Sequence, residues 1–367
     1  VRKVINIDKD WALHKGSVEQ QGQAGPARVL WQKVDLPHDW RIHEPYDKDN
    51  PRKNGYLPTG VGWYLKHLDL KGINKTDKVF IEFDGVFRNS TVWVNGHKAG
   101  THLSGYTGFV LDITDFLDFN SQSNTMKVYV DNAHANPNIA AHPWSEYGPG
   151  HEGWWYEGYG IYRHVHMIIT RPIHVASWGT FVYTKTASKE KAGIRVNTTI
   201  ANQSPEKQKI TVETSIRDAS GRQVASLRQF INTPANGDTC VRQSLEVLHP
   251  DLWSPDRPYL YNVVTKPYKG KALTDQYETP FGIRWFRFTA DSGFYLNGKR
   301  LQLRGMNIHA DYGGLGTALP DRANYKNIEI AKKMGVNIIR SAHNDPSVAL
   351  MRACDEQGML LWVETRY

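Results

Sequence analysis

Over roughly the first 170 residues almost no stretch carries helical spacing; short runs of alternating apolar and polar residues take its place. KVFIEFDGV at 78–86, STVWVNGHKAG at 90–100, TMKVYVDN at 125–132 and GIYRHVHMII at 160–169 each read as a strand or a strand pair. The Asn95-Gly96 pair is the turn dipeptide of a two-residue hairpin, since both of its positions accept positive φ. A chain of this kind buries one face of each strand against a second sheet, which predicts a jelly-roll-like β-sandwich over residues 1–172.

The texture then changes. GIRVNTTIANQSPEKQKITVETSIRDASGRQVAS at 193–226, TCVRQSLEVL at 239–248 and LYNVVTKPY at 260–268 give about seven strands with turn signals every 8–12 residues, which predicts an immunoglobulin-like β-sandwich over 173–282. The Cys-Trp-Cys signature of antibody domains is missing, so the reading is of architecture alone.

A third pattern occupies 283–367. FYLNGKRLQLRG at 294–305 is a hairpin turning at Asn297-Gly298. RANYKNIEIAKKMGV at 322–336 then spaces Ile328, Ala331, Met334 and Val336 as a helix ended by Gly335. NIIRSAH is a short apolar strand, DPSVALMRACDEQGM a helix with Asp345 as its cap and Gly358 as its end, and LLWVE another strand. Strand and helix in alternation build parallel α/β structure, and there the polar residues that follow the strands gather at one end. They are Asn307, His309 and Asp311, then Arg340, His343 and Asn344, then Glu364 and Arg366.

Composition narrows the partners. The formal charge of +8 permits a polyanion, but Lys and Arg are interleaved with other residues, as in KTASKEKA at 185–192, and no basic block appears; no nucleic-acid partner is expected. No apolar run reaches the ~18 residues of a membrane span, and no membrane partner is expected. The two cysteines, Cys240 and Cys354, make neither a disulfide framework nor a zinc site. His142, His151, His164 and His166 complete no ligand set, so no metal or other cofactor is expected. The compartment is open, with a periplasmic or secreted location ranked above a cytoplasmic one, and a homo-oligomer is allowed.

Several motifs in fixed order resemble those of glycoside hydrolase family 2, the β-galactosidase, β-glucuronidase and β-mannosidase group. LPHDW at 36–40, GVGWYLKHLDL at 60–70, FDGVFRNSTVWVNGHKAG at 83–100 and GYGIYRHV at 158–165 resemble its sugar-binding domain. FGIRWFRF at 281–288 resembles the exit from its immunoglobulin-like domain, and LRGMNIHAD with NIIRSAHNDP the opening of its TIM (β/α)8 barrel.

The resemblance implies a retaining exo-β-glycosidase, with β-galactosidase ranked first and β-glucuronidase or β-mannosidase specificity as alternatives. A non-catalytic carbohydrate-binding protein is the rival class. In the family the two catalytic glutamates follow the fourth and seventh barrel strands, and this chain reaches the third. No catalytic residue is therefore expected here: the acid/base and the nucleophile are expected beyond Tyr367, and the chain reads as an N-terminal fragment that is inactive alone. What carries over is the sugar pocket's wall. Asn307, His309 and His343 would bond ring hydroxyls, Arg340 would keep the nucleophile ionised, and Asp311, Asn344 and Glu364 would complete the rim. The chain departs from the family in having Ala342 immediately before His343, where relatives carry Ser. On the loop HEGWWYEGYGIYR at 151–163, Trp154 and Trp155 either offer a stacking platform or pack between the domains, with Glu157 nearby.

Overall fold

The computed structural model describes residues 1–16, 30–50, 56–121, 123–132 and 156–364. Its first unit is a sandwich of two antiparallel sheets. One orders Lys3–Asn6, Val165–Thr170, Lys78–Phe83 and Phe109–Asp112; the other orders Gln32–Val34, Trp11–Lys15, Val61–Leu68, Asn124–Asp131, Ser90–Val94 and His97–His102. Period-two patterning places alternate side chains on the shared inner face, so Trp11, Leu13, Tyr64, Ile81, Phe83, Val92, Met126, Val128 and Val165 form one core. The Asn95-Gly96 turn has φ of 49° and 84°, and Asn297-Gly298 has 51° and 80°, the left-handed geometry expected of these hairpins.

The second unit pairs Ile173–Ala187, Lys191–Asn202 and Gly237–Leu248 in one sheet. It packs them on a sheet built from Gln223–Thr233, Gln208–Arg217 and Tyr261–Lys269, to which Ala272–Leu273 and Tyr277–Phe281 add. Ile194, Val196, Ile216, Val247 and Val263 fill its centre. Cys240 is exposed and Cys354 buried, and neither is in a disulfide.

The hairpin of Phe286–Thr289, Gly293–Leu296 and Lys299–Arg300 leads into three parallel strands, Gly305–Ile308, Ile338–Ser341 and Leu360–Val363. Helix α1 (Asp321–Lys333) and helix α2 (Val348–Gln357) connect them, with Ile328, Ala331, Leu350, Ala353 and Cys354 against Ile339. This is the opening of a TIM barrel. No helix is long and apolar enough to cross a membrane among the described residues.

Two local expectations are corrected. Asp345 does not cap α2: Ser347 does, its backbone extended at φ −67° and ψ 155° and its hydroxyl accepting from the Leu350 N–H. Met334 is 66% exposed, being the residue where α1 stops. Gly358 does end α2, at φ 76°. A Cβ there would meet the Pro255 carbonyl of the preceding unit as well as the unfavourable φ. Gly358→Ala should therefore lower stability by roughly 2 kcal/mol, read as a shifted midpoint in urea at constant slope. An unchanged midpoint would contradict the close approach.

Candidate active site

Parallel pairing brings the strand ends to one rim, and the barrel docks onto the first sandwich beside it. Asp39, in the LPHDW segment, is 1% exposed. Its Oδ1 accepts from the amides of Arg41 (3.2 Å) and Tyr159 (3.2 Å). Its Oδ2 accepts from the Tyr156 hydroxyl (2.9 Å), the Thr317 amide (3.0 Å) and the Thr317 hydroxyl (3.2 Å). Burial pushes the carboxyl above its ordinary range, while the Thr317, Tyr159 and Arg41 amides and the Tyr156 hydroxyl oppose that shift. Thr317 belongs to the loop between the first barrel strand and α1, so this carboxylate ties that loop to the sandwich.

At the rim Arg340 is the centre. Its Nη2 lies 2.6 Å from Glu364 Oε2 and 3.0 Å from His343 Nδ1, and its Nη1 donates to Asn307 Oδ1 at 3.3 Å. Each partner comes from a different strand end, and the parallel register places Asn307 opposite Arg340 and Arg340 opposite Trp362. A guanidinium only donates, so the 3.0 Å contact makes His343 Nδ1 the acceptor and leaves its ring proton on Nε2. Glu364 lies farther from that ring, at 3.3 Å. His309 meets His343 edge to face, centroids 5.6 Å apart. Ser341 closes the turn beneath, its hydroxyl donating to the Asn344 carbonyl at 2.8 Å.

Beside this cluster a cavity of about 450 Å³ is lined by Asn307, His309, Asp311, Tyr156, Tyr312 and Asn327. Burial raises the Asp311 carboxyl above its usual range, and His309 opposes that. Of the residues singled out from sequence, Asn307, His309, Arg340, His343 and Glu364 converge, and Asp311 faces the adjoining cavity. Asn344 is 3% exposed and lines a small void in the seam with Tyr156, Tyr162 and Thr317. Glu157 is 2% exposed; its carboxylate accepts from the Tyr106 hydroxyl at 3.3 Å and its carbonyl from Arg41 at 3.2 Å, which places it inside the first sandwich rather than on the rim. Trp154, Trp155 and Arg366 lie outside the described residues, as does Tyr367, the position beyond which the catalytic glutamates are expected. Tyr156, Tyr312 and Asn327 were missed; Tyr156 directly follows the Trp pair, and no local signal marks the other two.

Comparison with known proteins agrees with this architecture. The model of the sugar-binding domain of glycosyl hydrolases family 2 matches residues 2–172, the family's central model 173–284, and its TIM-barrel model 289–367. The chain belongs to glycoside hydrolase family 2. It is 39% identical over 368 residues to the β-galactosidase BoGH2A of Bacteroides ovatus, covering 99% of this chain and 41% of that protein. It is 30% identical to a β-glucuronidase of Formosa agariphila, covering 98% of this chain and 38% of the other. A solved family 2 member from Bacteroides cellulosilyticus superposes with a TM-score of 0.89 at 36% identity, over 99% of this chain and 46% of that one. The Bacteroides uniformis β-glucuronidase gives 0.86 at 31%, over 100% and 42%. The chain thus spans less than half the length of these relatives.

Two outcomes follow from the seam. Asp39→Asn puts an amide donor among five donors and should cost about 2–3 kcal/mol, measured by urea unfolding; a loss within error would remove Asp39 as the tie. Next to it, burial holds the His38 imidazole down to about 4, with its Nδ1 2.9 Å from the Tyr64 hydroxyl. A depressed histidine gives stability that is present in full above its unfolded value of 6.5 and lost as pH falls through 4. Unfolding midpoints should drop over that window less steeply in His38→Gln than in the parent. Parallel curves would show that the ring is not kept neutral.

Proposed function

We propose that the protein is a retaining exo-β-glycosidase that removes a terminal β-linked galactose. One observation carries the reading: three successive parallel strands deliver an amide, a guanidinium, an imidazole and a carboxylate to a single rim around Arg340. That set suits a polyhydroxylated ring. Asn307 and the Nε2 proton of His343 offer directional hydrogen bonds to hydroxyls, and the Arg340–Glu364 pair gives a fixed charge against which an oxocarbenium-like transition state can be oriented.

Retention needs two carboxyl groups ~5–5.5 Å apart, one protonating the leaving oxygen and one attacking the anomeric carbon. Glu364 does not suit either task, because Arg340 already engages it at 2.6 Å. In our reading the acid and the nucleophile come from barrel strands beyond Tyr367 that complete the cylinder, and Arg340 would keep the nucleophile ionised. Galactose is favoured over a uronic acid because the segment 151–163 carries Trp154, Trp155 and Glu157 and has no Arg before Arg163. The β-galactosidase of Bacteroides ovatus is also more similar to this chain than is the Formosa β-glucuronidase, at 39% against 30% identity.

The test is turnover of aryl β-galactoside, β-glucuronide and β-mannoside by the full-length protein, with the first-formed anomer read by proton NMR. Preference for the galactoside with a β-anomer product is expected. Arg340→Gln should lower kcat/KM by about 100-fold, and the 367-residue chain alone should not turn over substrate. An α-anomer product, or faster glucuronide hydrolysis, would overturn the mechanism or the specificity respectively.

A further inference from the structure

The outer face of the first sandwich carries a second group of chemistry-bearing side chains, away from the barrel rim. Glu82 on Lys78–Phe83 and His166 on Val165–Thr170 are direct cross-strand partners. Asp84 lies two residues beyond Glu82, hence on the same face, and its amide donates to the His164 carbonyl at 2.9 Å, which fixes the backbone there. One ligand atom from each of Glu82, Asp84 and His166 lies within 4.8 Å of the other two, and all three residues are half-buried.

The carboxylates of this cluster are in no salt bridge among the described residues. The cations nearest to it are committed elsewhere. Arg2 is paired with Asp275 at 3.0 Å. His164 is held between Asp8 (2.6 Å) and Asp321 (2.9 Å). Arg163 donates to the carbonyls of Tyr106 (3.1 Å) and Asp345 (2.7 Å). His166 Nδ1 is buried with no hydrogen-bond partner. An orphaned imidazole nitrogen beside two carboxylates is costly unless something bridges them.

We propose that Glu82, Asp84 and His166 bind one divalent transition-metal ion of the Zn²⁺ type, at the junction of the first and second sandwiches. One imidazole and two carboxylates make the mixed N/O set that zinc accepts, and imidazole disfavours Ca²⁺ and Mg²⁺. Tetrahedral ligands at ~2.0–2.1 Å from the ion stand ~3.4 Å apart. From separations of no more than 4.8 Å the group would need to close by no more than about 1.4 Å. A fourth position would be left to water. The role is structural: the ion would neutralise the two carboxylates and tie together the two central strands of the sheet. It is independent of the proposed glycosidase activity.

The test titrates the EDTA-stripped, dialysed chain with ZnCl₂ by calorimetry and follows its melting temperature. The parent should bind one equivalent that is lost in both Glu82→Gln and His166→Gln, and should melt several degrees higher with zinc while the variants do not. Circular dichroism and melting in EDTA check that the isosteric Glu82→Gln variant is folded. Zinc-edge absorption should show nitrogen and oxygen neighbours only. Equal zinc stoichiometry in parent and folded variants, or no binding by the parent, would overturn the site. Equal affinity for Mg²⁺ would overturn its assignment to an imidazole-containing set.

Discussion

A buried carboxylate with nowhere to discharge its negative charge but a ring of hydrogen-bond donors holds this structure together. Asp39 sits at 1% exposure where the first sandwich meets the barrel. An ionised group in such a place is tolerated only when its lone pairs are satisfied, and here two donors, both from Thr317, belong to the barrel. The approach is close enough that Gly316, at φ 58°, could carry no side chain without striking the Asp39 carboxylate. The position of the loop after the first barrel strand is therefore set by the sandwich, and with it the side on which Asn307 and His309 face the cavity.

The same seam is repeated at other points, each binding an element of the barrel to a different part of the sandwiches. Arg163 donates to the Asp345 carbonyl ahead of α2, and His164 bonds Asp321 at the start of α1. The Trp253 indole donates to the Asp355 carbonyl in α2, and Lys332 at the end of α1 donates to the Pro255 carbonyl. Three parallel strands form a small sheet, but both connecting helices are anchored at their ends. That anchoring lets Arg340 face Glu364, Asn307 and His343 at bonding distance rather than average over rotamers. A guanidinium suits this place because its planar fork can address several acceptors at once, where a lysine would be a point charge.

Much of this was legible from residues alone, and the reasons are local. Asn95-Gly96, Asn297-Gly298 and Gly358 declare themselves because the backbone conformations they adopt exclude most other residues. The alternating runs at 78–86 and 125–132 announce strands because one face must be apolar. The α2 cap was misplaced by two residues, since Asp345 and Ser347 are both good cap types and only the folded helix shows which hydroxyl or carboxylate meets its first amides. Glu157 looked like a pocket residue by its position beside the Trp pair, yet its carboxylate is turned inward to Tyr106. Nor did sequence reasoning join His166 to Glu82: it compared His166 with His164, its near neighbour in the chain, whereas the cross-strand partner lies on a strand formed far earlier.

The sequence by itself determined the order of the elements, the two sandwiches followed by α/β units, and the family, because periodicity, turn chemistry and ordered motifs are properties of neighbouring residues. Tertiary structure alone decided which polar groups share a site. Asp39 with Thr317, and Arg340 with Glu364, are brought together by sheet register and domain docking. Burial then decides which of those groups must find a partner, since a charge costs little in water and much inside a protein.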